Sequence, residues 1–132
     1  MRPGAFVRVL FPTQERPDQP GLSHIGYILG IASSHAMVAY TTSQRWPAST
    51  PVPAGVRLFD ASEAARLNQD RPFVLRLDVL AKLPLTKRWF PALGGPGRGV
   101  IAVAPEKLRL ELMRLASNLA LRRRELLQLR GP

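Results

Sequence analysis

The chain has 132 residues, 45% of them hydrophobic and 21% charged, which is enough for one domain with a real core and excludes disorder as the default state. It carries no cysteine and only two histidines, which excludes a disulfide framework, thiolate chemistry and cysteine-ligated zinc, so neither a metal nor another cofactor is expected. The net charge of +10 rests mostly on arginine, the lysines being Lys82, Lys87 and Lys107 alone; because arginine forks onto phosphates and stacks on bases, a polyanionic partner is expected.

Met1 to Arg8 holds no apolar run long enough for a signal peptide, and no stretch approaches the roughly 20 apolar residues of a membrane span. A cytoplasmic protein with no membrane partner is expected. Ala5 to Phe11 predicts a first strand, with Phe6 and Arg8 on one face and Val7, Val9 and Phe11 on the other. Pro12 to Gly21, with three prolines and six polar residues, is a long loop of the kind that carries function. Ser23–Ala32 predicts a second strand, Ile25, Tyr27, Leu29 and Ile31 facing one way and His24, Gly26, Ile28 and Gly30 the other. His35–Thr42 predicts a third, ending in hydroxyls, and Gln44–Ala54, with three prolines and Trp46, is a second irregular excursion.

Gly55–Asp60 predicts a short strand, and Ser62–Asn68 one or two helical turns with Ser62 as N-cap. Arg71–Asp78 alternates Phe73, Leu75 and Leu77 against Val74, Arg76 and Asp78. Residues two apart on a strand stand side by side, about 6.5–7 Å apart, so Arg76 and Asp78 aim one cation and one carboxylate at the same patch. Ala81–Phe90 is a further strand pair or turn broken at Pro84. Gly94–Gly99 lacks the Gly-Lys-Ser/Thr ending of a nucleotide-binding loop and is a plain loop before a last strand, Val100–Ala104. Pro105 and Glu106 suit the start of a helix that runs to about Arg130. Leu108, Leu112, Leu115 and Leu119, with Ala116 and Leu126, form its core stripe, and Arg122–Arg124 suit the negative end of its dipole. One domain over residues 1–132 is expected: mainly β, a small bent sheet or partly open barrel, with a long C-terminal helix.

The order of these parts resembles the MazF/PemK (Kid) family of toxin endoribonucleases. The likeness rests on Gly4 before an apolar strand, Phe11-Pro12-Thr13, the Asp18-Gln19-Pro20-Gly21 loop, Thr41-Thr42-Ser43-Gln44 and the Arg76-Leu77-Asp78 strand. In that family the corresponding stretches are Pro-Thr, a Glu-Gln-x-Gly loop, a Thr-Ser/Thr-Gln turn and an Arg-x-Asp strand. The resemblance implies an SH3-like bent barrel, usually a homodimer, with single-stranded RNA in a groove at the dimer interface and an acidic antitoxin protein that occupies the groove. The chain departs from the pattern at Ser23-His24, where many members have arginine, and at Arg16-Pro17, where some have histidine.

Metal-free RNA cleavage by 2′-hydroxyl attack needs a base, an acid and a cation. Arg76 suits the cation. Asp78 either accepts the hydroxyl proton or orients Arg76, and a carboxylate beside a guanidinium is better suited to the second role. Thr42, with Ser43, suits donation to the phosphate, unless it serves only a turn hydrogen bond. His24 suits base or acid. Arg8, Arg16, Gln19, Gln44, Arg45 and Trp46 are the candidate RNA contacts, Trp46 by stacking a base. A gyrase poison of the CcdB type shares the implied fold but uses aromatic and small residues at the chain's end, where this sequence reads Leu-Gln-Leu-Arg-Gly-Pro. A barrel that binds RNA or protein without cleaving is the remaining alternative.

Overall fold

Alternation in the apolar runs builds the sheet. The computed structural model describes residues 1–120 and the strand Leu127–Arg130. Three strands, β1 (Ala5–Leu10), β2 (Ser23–Ala32) and β3 (His35–Thr42), lie within a residue of the limits their patterns predict. With β4 (Val56–Phe59), β5 (Phe73–Pro84) and β6 (Val100–Val103) they form an antiparallel sheet, ordered β4-β5-β3-β2-β1-β6, that curls into a half-barrel. Two helices, α1 (Ala61–Ala65) and α2 (Glu106–Ala120), complete the described fold with β7 (Leu127–Arg130). None of the helices described is long and apolar enough to cross a membrane.

Both faces of the sheet are covered. Val7, Val9, Ile28 and Val38 pack on one side with Trp89 and Phe90 from the turn after β5. Phe6, Tyr27, Leu75 and Leu77 pack on the other against Leu112 and Leu119 of α2. The period-two reading therefore divides Phe73, Leu75 and Leu77 from Arg76 as expected. It fails at Ile31, which joins the core of the opposite face. A bulge between Ile28 and Gly30 inserts one residue and turns the remainder of β2 over.

Three further expectations are corrected. The strand carrying Arg76 does not end near Asp78 but continues to Pro84, because β3 pairs along nearly all of it and Pro84 ends the strand instead of interrupting it. The N-cap of α1 is Asp60, not Ser62. The Asp60 carboxylate accepts from the Glu63 amide at 2.8 Å and Glu63 accepts from the Asp60 amide at 3.1 Å, a capping box, while Ser62 donates its hydroxyl to Asp60. Gly94–Gly99 is a loop as expected, in which Gly97 and Arg98 take left-handed backbone conformations, φ 70° and 54°. The closing helix does not reach Arg130. It is described to Ala120, and Leu127–Arg130 pairs parallel with Val79–Lys82, satisfying the stretch of β5 edge that the short β4 leaves open. Arg122–Arg124 and Leu126 lie outside the described residues.

Candidate functional site

Long-range pairing sets Arg76 of β5 directly opposite Tyr40 of β3. One step along β3, the partner on β5 changes from Arg76 to Leu80, so Leu77, Asp78 and Val79 form a bulge. Asp78 lines the same hollow as Arg76 by strand alternation, and Val79 joins them there. Arg76 clasps Asp78 with two hydrogen bonds, Nε to Oδ1 at 3.0 Å and Nη2 to Oδ2 at 2.6 Å. The Asp78 carboxylate is nearly buried, whereas a third of the Arg76 side chain is exposed. The hydrogen bonds that Arg76 donates to Asp78 hold its pKa above the ordinary arginine value, so this cation is permanent. Both Asp78 oxygens are committed to the guanidinium, which gives the carboxylate a positioning part.

His24 and Tyr40 complete the hollow, which has a volume of about 530 Å³ and is lined also by Phe11 and Thr13. Tyr40 stands between two rings, 5.0 Å from His24 and 5.2 Å from Phe11 between centroids. Sequence reasoning passed over Tyr40. The signal was present, since Tyr40 is two residues before Thr42 on one strand and shares its face.

Thr42 and Ser43 line a neighbouring hollow of about 550 Å³ with Arg8, Gln69 and Arg71, and His24 belongs to the walls of both. The Thr42 hydroxyl oxygen accepts from the Gln44 amide at 3.1 Å, leaving its own O–H to donate. Thr41 also lines this hollow, but it is buried and its hydroxyl is spent on the Ile25 carbonyl. A third hollow, of about 290 Å³, is lined by Ser43, Gln44, Arg45, Trp46 and Arg71. The Trp46 indole donates to the Thr50 carbonyl at 3.1 Å and its ring lies 5.7 Å from the Arg76 guanidinium carbon.

The candidate residues are thus distributed along adjoining hollows. Arg76, Asp78 and His24 share the first; Thr42, Ser43 and Arg8 share the second with His24; Gln44, Arg45 and Trp46 lie in the third. Arg16 and Gln19 line none of the three. They are exposed in the first loop, where an Arg16 N–H points to the Gln19 side-chain oxygen at 3.5 Å. Among the described residues, Arg8 and Arg45 make no ion pair, and Arg71 reaches Asp70 only at 3.9 Å across an exposed gap. Arg8, Arg45, Arg71 and Arg76 outnumber Asp70 and Asp78 along the hollows, so their lining is net cationic, with hydroxyls and one imidazole at its centre. No three His, Asp or Glu side chains among the described residues are grouped to hold a metal.

No protein-family model matches the chain, and no curated protein matches it in sequence.

Proposed function

We propose that the chain belongs to the class of small β-barrel ribonucleases and cleaves single-stranded RNA without a metal. More particularly, we propose the toxin of a type II toxin–antitoxin pair, an SH3-like barrel of the MazF/PemK type that acts in the cytoplasm as a homodimer and is neutralised by an acidic antitoxin. The observation that carries the reading is the Arg76–Asp78 clasp opening into a hollow shared with His24.

In this mechanism the 2′-oxygen attacks phosphorus, the new P–O2′ bond forms as the P–O5′ bond breaks, and the products are a 2′,3′-cyclic phosphate and a 5′-hydroxyl. Arg76 stabilises the charge that grows on the phosphoryl oxygens, and Asp78 keeps its fork in place. His24 moves the proton, taking it from the 2′-hydroxyl or giving it to the leaving 5′-oxygen. The Thr42 hydroxyl, free to donate, hydrogen-bonds to the phosphate. Trp46, packed beside Arg76, stacks a base.

The test is incubation of the purified protein with long single-stranded RNA in EDTA. Fragments ending in 2′,3′-cyclic phosphate are expected, at a rate about 10²–10³-fold lower for Arg76→Ala. Bound but intact RNA would select the non-catalytic barrel instead.

A further inference from the structure

We propose that the hollow walled by Arg8, His24 and the Asn68–Arg71 turn is a second nucleotide subsite, which holds the residue of single-stranded RNA adjoining the scissile phosphate. The inference rests on the nuclease reading for the identity of its ligand. Its own support is separate.

The turn is built to stay in place. Asn68 takes a left-handed backbone conformation, φ 58°, and its side-chain amide donates to the Ile101 carbonyl of β6 at 2.9 Å. The Gln69 amide donates to the Ala64 carbonyl at 3.0 Å, closing the end of α1. This anchorage carries Arg71 to one wall of the hollow while β1 brings Arg8 to another. Both arginines are exposed: Arg8 forms no ion pair among the described residues and Arg71 only the 3.9 Å contact with the exposed Asp70, which lines the same hollow, so the two cations outnumber the one carboxylate there.

A second observation comes from Gln69. Gln69 lines the hollow, and its buried side-chain Nε2 has no hydrogen-bond acceptor among the described residues. An unpaired buried donor is costly. Rotating this amide toward a ligand oxygen breaks no hydrogen bond among the described residues and removes that cost, so Gln69 suits donation to a base carbonyl.

Continuity favours a strand over a small anion. His24 joins this hollow to that of Arg76, and Ser43 and Arg71 join it to that of Trp46. A chain with regularly spaced phosphates can follow this path, and a lone phosphate would use only part of it.

The experiment measures fluorescence anisotropy of a labelled nine-nucleotide 2′-O-methyl RNA, which has no free 2′-hydroxyl and stays intact, over a salt series. Binding by the Arg8→Gln, Arg71→Gln double variant is expected to weaken at least tenfold at low salt. If each arginine neutralises one phosphate, the slope of log K against log salt falls by about 1.4. The Arg8→Lys, Arg71→Lys pair is expected to keep the slope, which shows that charge and not misfolding is at issue. Unchanged affinity and slope in the glutamine pair overturn the subsite even if the protein cleaves RNA. A protein that cleaves nothing yet loses binding with the pair retains the subsite and loses the nuclease reading.

Discussion

The Arg76 guanidinium and the Asp78 carboxylate meet through two parallel hydrogen bonds, 3.0 and 2.6 Å long, on the one hollow that both line. The pair is asymmetric, since the cation is one-third exposed and the carboxylate nearly buried. Deleting the arginine therefore strands a charge that water hardly reaches. Arg76→Ala should lower unfolding free energy by about 2 kcal/mol, and Asp78→Ala by less, because a freed arginine hydrates. Urea unfolding of both single variants and the double variant checks this. A coupling energy near zero would sink the view that the clasp holds the cation in place.

His24 is the one imidazole in the first two hollows. On the proposed mechanism, His24→Gln should lower the cleavage rate by about 10²–10⁴-fold while the affinity for a non-cleavable RNA changes little. Single-turnover cleavage and anisotropy separate the two quantities. Equal losses in both would make His24 a binding residue only.

Trp46 is half-buried beside Arg76, whereas Trp89 is sealed in the core at 1% exposure. In Trp89→Phe protein, the remaining tryptophan emission should be quenched as RNA is added. Trp46→Ala should weaken binding by about 1–3 kcal/mol. Emission that ignores RNA places no base at this ring.

Arg57 ties β4 to both helices, donating to Glu63 at 2.8 Å and to Glu111 at 2.7 Å. The hydrogen bond from Arg57 holds the Glu63 carboxyl below its ordinary value near 4.5, and the Glu63 backbone amide holds Asp60 below its ordinary 3.8. A depressed carboxyl adds stability that is fully present above its unfolded pKa and is lost as pH falls through the folded one, so stability should decline from about pH 5 toward pH 3. Glu63→Gln keeps the capping box and removes the charge. It should cost about 0.5 kcal/mol at pH 7, as expected for a solvent-screened pair, and flatten part of the decline seen in urea unfolding.

Gly26 lies opposite Tyr40, and a Cβ there would stand 2.5 Å from Val38 Cγ1 and 2.9 Å from Val9 Cγ1. Gly26→Ala should therefore cost about 1–3 kcal/mol through overpacking. It should also disturb the His24–Tyr40 contact, which proton NMR of the two rings would register.

The apolar alternation determined the first three strands, and with it the separation of Phe73, Leu75 and Leu77 from Arg76. That much is local, because a period of two follows from strand geometry whatever the neighbours. The composition likewise determined a basic, cysteine-free chain. Where the pattern broke, a non-local partner had decided. The bulge in β2 turned Ile31 over, and the open edge of β5 took Leu127–Arg130 as a strand although the closing helix had been expected to include it. The Leu-Gln-Leu-Arg alternation was a sign of that strand, outweighed by the long helical stripe before it.

The candidate site divides in the same way. Arg76, Asp78, His24 and Thr42 were legible as residue types on predicted strands, but strand period says which face a side chain occupies and not which strand lies beside it. Register supplied Tyr40 opposite Arg76, and the folding back of the α1 turn onto β6 brought Arg71 and Gln69 to the hollow of Arg8. Pairing across 36 residues of sequence, as between Tyr40 and Arg76, is settled by the packing of both sheet faces together, and no local window of the chain contains that information.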